Sequence, residues 1–135
     1  MSEVRAALAR LRELPEPELE RLCRDFDVRV LTVFGSALDP SVPDPADLDL
    51  GVVFEPGADH DVLGLLEVLV GRLGSERLDI LDAGRASETA RMRAIADGEP
   101  VYESEPTAYA MAAAAAEALF WETEPMRRAA LAESR

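Results

Sequence analysis

A chain of 135 residues with 48% hydrophobic and 30% charged residues is long enough to bury its own core and too apolar to be disordered. Fourteen basic residues against 27 acidic ones give a formal charge of −13, and all fourteen are arginine, because the chain has no lysine. Such a surface repels a phosphate backbone, which argues against nucleic acid as a direct partner and favours a basic protein or a divalent cation held by carboxylates.

The N-terminal stretch MSEVRAALARLREL lacks the apolar segment of a signal peptide, and the longest apolar run, 108–116, is far short of the roughly 18 residues of a membrane span. A cytoplasmic protein that does not engage membranes is therefore expected. Residues 3–13 read as a helix, and a second begins near Pro15, with Leu19, Leu22 and Phe26 at spacings of three and four. Cys23 falls on this second helix; lacking a partner for an internal disulfide, it reads as a small core residue.

VRVLTVF, 28–34, is a buried strand by its β-branched and aromatic content, and it stops at Gly35. A short helical turn can form after Ser36, but Pro40, Pro43 and Pro45 bar a long one and make 39–46 a stiff loop. DLDLGVVF, 47–54, is the second strand. A helix is predicted over 59–73, with Val62, Leu66, Leu69 and Leu73 on one face and Asp59 or Asp61 as its cap. RLDILDA, 77–83, is the third strand, followed by a helix over about 86–97 that ends at Gly98. EPVYES is short and extended, and 105–135 is alanine-rich helix broken or kinked at Pro125. Strands alternating with helices predict an α/β layer with extra helices at both ends.

Side chains two apart on a strand share a face, so Asp47 and Asp49 project together while Leu48, Leu50 and Val52 enter the core. Two adjacent carboxylates repel unless a cation lies between them, and Mg²⁺ takes oxygen ligands of this kind. On the third strand Asp79 points opposite to Leu78 and Ile80; pairing of this strand with the second would complete a three-carboxylate site. Gly35 and Ser36 lie at a strand end, where glycine permits close backbone approach and exposed amides with a hydroxyl can bind phosphate oxygens. Carboxylates for metals beside a phosphate-binding turn describe a nucleotidyl-transfer site, in which two ions clamp the attacking and leaving oxygens.

These residues carry a resemblance. Gly35-Ser36, ten residues, then Asp47-Leu48-Asp49 resembles the signature of the minimal nucleotidyltransferases, in the DNA polymerase β-like superfamily, and Asp79 is similar to their third carboxylate. The resemblance implies an α/β (α+β) fold with a mixed sheet of three to four strands, flanking helices and a C-terminal helix. It implies one nucleotidyltransferase-like domain over 1–135, with a core of about 25–103 and helical extensions over 1–24 and 104–135. The short C-terminal part is similar to the antitoxin branch (MNT) paired with HEPN-domain RNase toxins. For that branch it implies ATP as substrate, AMP transferred to a tyrosine hydroxyl of the toxin, and a hetero-oligomer with it. Gly35 and Ser36 would grip the triphosphate, Asp47 and Asp49 would hold two Mg²⁺ ions, and Asp79 would share one and help to deprotonate the acceptor. Many members have an arginine soon after the Gly-Ser and a serine before the first aspartate; this chain has Ala37, Asp39 and Ala46 thereabouts.

Other readings are weaker. Counting from Asp47, the sixth position of an EF-hand loop, which must be glycine, is Val52, and neither a P-loop nor a dinucleotide fingerprint is present. His60, the only histidine, reads as a surface or capping residue, which removes mechanisms needing a histidine base. Asp82 reads as a strand-end surface charge, and Arg85, Arg91 and Arg93 as solvated charges that are weak candidates for a phosphate clamp. Tyr109, Ala112, Ala116, Leu119 and Phe120 form a stripe that packs on the sheet or docks a partner. Leu119, Phe120 and Trp121 are consecutive, so at least one is expected to be exposed. Two alternatives to protein AMP transfer stand: neutralisation of a partner by binding alone, and nucleotidyl transfer to a small molecule.

Overall fold

The computed structural model describes residues 2–134. Helix α1 (Glu3–Glu13) starts at Ser2, whose hydroxyl accepts the Arg5 amide, and buries Val4, Ala7, Leu8 and Leu11 at helical spacing. Helix α2 (Glu16–Asp25) starts after Pro15 and buries Leu19, Leu22 and Cys23. A left-handed residue, Asp27, turns the chain into strand β1 (Val28–Phe34). One turn of 3₁₀ helix (Gly35–Leu38) and the proline-stiffened spacer then lead to β2 (Leu48–Phe54).

The helix predicted over 59–73 is shorter. Asp61 accepts the Gly64 amide and fixes the start of α3 (Val62–Leu73), while Gly74, at φ 67°, ends it. Its deepest face is Leu65, Leu69 and Leu73; Val62 and Leu66, expected on that face, are half-buried at its flank. Strand β3 (Leu78–Asp82) follows. The helix predicted over 86–97 is α-helical only as α4 (Glu88–Arg91), and Met92–Ala96 forms a π turn. Strand β4 (Glu99–Glu103) and helices α5 (Ala108–Glu122) and α6 (Glu124–Glu133) complete the chain; the break expected at Pro125 falls at Thr123, and Pro125 lies in the first turn of α6.

The sheet is mixed and four-stranded, in the order β3-β2-β1-β4, with β2 and β3 parallel and the other pairs antiparallel. One face, carrying Leu31, Val33, Leu48, Leu50 and Val52, packs against α1, α2 and α3 in the main core. The other carries Phe34 and Val53, and packs with Ala94 and Ile95 of the π turn and Ala116 of α5 in a smaller cluster. Alternation along the strands puts Asp49 and Asp79 on this second face, beside the π turn. That turn lies very close to the sheet. Thr32, fully buried, donates its hydroxyl to the Ala94 carbonyl at 2.6 Å, and its register partner Gly51 lets Ala94 approach, since a Cβ there would meet Ala94 at 3.1 Å. From above, the Tyr109 hydroxyl of α5 lies 2.9 Å from the Ile95 carbonyl and 3.0 Å from that of Gly98, serving carbonyls at the end of the helix.

Candidate active site

Gly35 has φ 81°, a left-handed conformation that permits the chain to turn sharply out of β1. The same position needs glycine for a second reason: a Cβ built there would overlap the Asp49 carboxylate. Phe34, just before it, is the register partner of Asp49 across β1 and β2, and Asp49 is in turn the register partner of Asp79 across the parallel β2–β3 pair. The pairing that the three-carboxylate reading required is therefore present. Asp47 precedes β2 by one residue rather than lying within it, and both it and Asp79 are exposed, while Asp49 is half-buried against the turn. Burial pushes the Asp49 carboxyl above the usual carboxylate range, repulsion from Asp79 and then Asp47 adds to the rise, and Arg93 opposes it.

Three carboxylates in this neighbourhood have the donor chemistry that Mg²⁺ takes. They do not converge on a point, however: among the described residues no group of three or more histidine, cysteine, aspartate or glutamate side chains is arranged to hold one metal ion. A cavity of about 670 Å³ lies elsewhere, between α2, β4 and the start of α5, and none of Gly35, Ser36, Asp47, Asp49 or Asp79 lines it. Asp47 and Asp79 are open to solvent, while Asp49 is partly covered.

Within the acidic spacer, Asp39 is engaged by its own loop. Asp39 accepts the Ser41 hydroxyl at 2.7 Å and the Ser41 amide at 2.9 Å, which hold its carboxyl below the usual range. Arg5 of α1 fastens the same loop, donating to the carbonyls of Asp39 (2.6 Å) and Pro43 (3.1 Å). Ala37 is buried in the main core.

Comparison with solved structures bears on the fold. A toxin–antitoxin structure with AMP-PNP superposes at a TM-score of 0.69, over 90% of this chain and 98% of that one, at 19% identity. A Shewanella oneidensis structure of a tri-AMPylated HEPN toxin in complex with MNT antitoxin gives 0.66, over 91% and 98%, also at 19%. The MntA–HepT toxin–antitoxin structure gives 0.65, over 88% and 95%, at 18%. This chain has the small nucleotidyltransferase fold. No protein-family model and no curated protein matches it by sequence.

Within this nucleotidyltransferase fold two readings of single residues need correction. His60 is not a surface or capping residue: Nδ1 lies 2.6 Å from Oδ2 of Asp82, and its ring stacks on Phe54 at 4.6 Å between centroids. Asp82 is correspondingly 10% exposed, and its other oxygen accepts the Gly84 amide at 3.1 Å. The pair ties the loop before α3 to the end of β3, on the sheet face opposite to Asp79. The three arginines read alike also part company. Arg85 lies 3.8 Å from Asp82, and Arg91 donates to the carbonyls of Ala86 and Gly84. Arg93 lies over the Phe34 ring, 5.9 Å from its centroid, on the carboxylate side. No local pattern distinguished it; only the lack of lysine pointed to arginine at all. As expected of the consecutive Leu119, Phe120 and Trp121, one member is exposed, Trp121.

Proposed function

We propose that the protein is an MNT-type antitoxin that transfers AMP from ATP to a hydroxyl, most simply a tyrosine's, on a partner HEPN-type RNase toxin in the cytoplasm, forming a hetero-oligomer with it. The observation that carries this reading is the left-handed Gly35 turn packed on Asp49, itself in register with Asp79, on a nucleotidyltransferase fold. Structures of similar fold with AMP-PNP and with a tri-AMPylated HEPN toxin support it.

In the reaction the acceptor oxygen attacks the α-phosphorus of ATP, a new P–O bond forms, the bond to the bridging oxygen breaks and pyrophosphate leaves with that electron pair. Ser36 and the amides of the 3₁₀ turn bind phosphate oxygens, and glycine at position 35 lets the backbone come close to them. Asp79, exposed and in register with Asp49, takes the proton from the acceptor hydroxyl. Asp47 and Asp49 would hold Mg²⁺, with Asp79 sharing an ion, and the metal would supply charge neutralisation on the reacting phosphate. An open site suits a macromolecular acceptor, whose surface excludes water when it docks.

The test is to mix the purified protein, ATP, Mg²⁺ and the protein encoded by the adjacent gene, and to read that partner by intact mass. Adducts of one adenylyl group, abolished by Asp49→Asn, are expected; an unmodified partner would refute transfer. A second reading, neutralisation by contact alone, draws on the exposed apolar side chains Met111, Trp121, Met126 and Leu131 of α5 and α6. It expects Asp47→Ala with Asp49→Ala to retain full neutralisation of the partner, whereas the transferase reading expects protection to be lost.

A further inference from the structure

We infer that Arg93, presented by the π turn beside the carboxylates, is the cation that binds the triphosphate of the nucleotide. The inference rests on the transferase reading and adds to it a binding residue outside the Gly-Ser and aspartate motif. A triphosphate brings several negative charges to a site that already holds Asp47, Asp49 and Asp79, so a protein cation is needed near it. With no lysine in the chain, that cation must be an arginine.

Neighbouring arginines are committed elsewhere. Arg5 binds the spacer carbonyls, Arg85 pairs with Asp82, Arg91 binds two carbonyls of its own loop, and Arg127 joins α6 to Thr123 and Phe120. Among the described residues Arg93 makes no ion pair and no side-chain hydrogen bond. It is exposed, and its guanidinium rests over Phe34, the residue that both precedes the Gly35-Ser36 turn and pairs with Asp49. The cation therefore stands beside the strand end from which the Gly35-Ser36 turn leaves, with its hydrogen-bonding groups unused.

The backbone that carries Arg93 is fixed with unusual care for a surface turn. Thr32 anchors the Ala94 carbonyl from within the sheet, and Tyr109 serves the Ile95 and Gly98 carbonyls from α5. Gly98 is also closed against Ala94, since a Cβ there would overlap the Ala94 carbonyl oxygen. A π turn inserts an extra residue into a helix and is frequent at functional sites. Here it sets Arg93 beside the sheet while Ala94 and Ile95 stay buried. The spacer cannot supply the charge instead, because residues 37–46 contain no arginine or lysine.

The test is calorimetric titration of the full chain with ATP, inorganic triphosphate and adenosine, each with Mg²⁺, in the wild type, Arg93→Ala, Arg93→Lys and Arg21→Ala. Arg21 is an exposed arginine on α2 and serves as the charge control. Arg93→Ala should weaken ATP and triphosphate by about tenfold or more, as loss of a charge-assisted contact does. It should leave adenosine affinity unchanged and lower the melting temperature by no more than the few degrees that loss of an exposed cation–π contact costs; Arg93→Lys should recover part of the loss in affinity, and Arg21→Ala should match the wild type. Wild-type binding of ATP with equal affinity in Arg93→Ala would overturn the inference while leaving the transferase reading standing. A wild type that binds neither ATP nor triphosphate would overturn both.

Discussion

Gly35→Ala is the sharpest probe of the site because the structure contains its own control. Gly35 and Gly57 have nearly the same left-handed backbone, φ 81° and 78°, but a Cβ at Gly57 meets nothing within 4 Å whereas one at Gly35 overlaps the Asp49 carboxylate. An alanine at either position carries the left-handed penalty of roughly 1–2 kcal/mol, partly offset by a stiffer unfolded chain, and these terms cancel between the two variants. What remains at Gly35 is the displacement of Asp49 from its preferred rotamer, about 1 kcal/mol. For a chain of this size that corresponds to Gly35→Ala melting about 3–5 °C below Gly57→Ala by calorimetry. Adding Asp49→Ala should remove the difference, with a coupling of about 1 kcal/mol for Gly35 and none for Gly57. The displaced carboxylate should also lower AMP transfer by about 100-fold in Gly35→Ala, with Gly57→Ala unaffected. Equal melting points for the two alanine variants and additive behaviour with Asp49→Ala would refute the contact between the turn and the carboxylate.

Asp49→Asn is expected to raise stability at neutral pH by about 0.5–1 kcal/mol while abolishing transfer, since it removes like-charge repulsion from a half-buried group. Because the folded-state pKa of Asp49 lies above its unfolded value, the stabilisation from its protonation is complete below the unfolded value and is lost as pH rises through the folded one. The advantage of the asparagine variant should therefore disappear on acidification, and denaturant melts across that range check it; wild-type transfer, needing the carboxylate, should rise with pH over the same window. Thr32→Val keeps the shape of the side chain but leaves the Ala94 carbonyl without its buried donor, so a loss of about 1–3 kcal/mol is expected in urea melts, with faster amide exchange in the π turn. Burial pushes the Cys23 thiol up to about 12, so a thiol reagent at pH 8 should react only with unfolded protein, at the global unfolding rate or equilibrium. Rapid labelling of native protein would show that α2 opens locally.

Much of this protein is decided by short-range pattern. β-Branched and aromatic content marks β1, alternation of apolar and acidic residues marks the starts of β2 and β3, three prolines stiffen the spacer, Pro15 marks a helix start and Pro125 a helix break, because each acts through its own backbone within a few residues. The Gly35-Ser36 and Asp47-Leu48-Asp49 halves were legible for the same reason: period-two geometry puts Asp49 opposite Leu48 and Leu50 whatever the rest of the chain does. Asp79 was legible only conditionally, since its value depends on which strand lies beside β2, and strand order is a long-range outcome. Tertiary structure alone decided the rest. The His60–Asp82 pair joins residues from a loop and a strand end that no local periodicity relates. Arg5 reaches the spacer from α1 and fixes the loop that carries Asp39 through its backbone carbonyls. Arg93 owes its place to a π turn whose extra residue is held by Thr32, Gly51 and Tyr109, each contributed by a different element. Backbone preference propagates along a few residues of chain, so sequence alone determined the elements and the two motif halves. Charge and close packing act across space, so which carboxylates stay free and which arginine faces them was settled only when the elements packed.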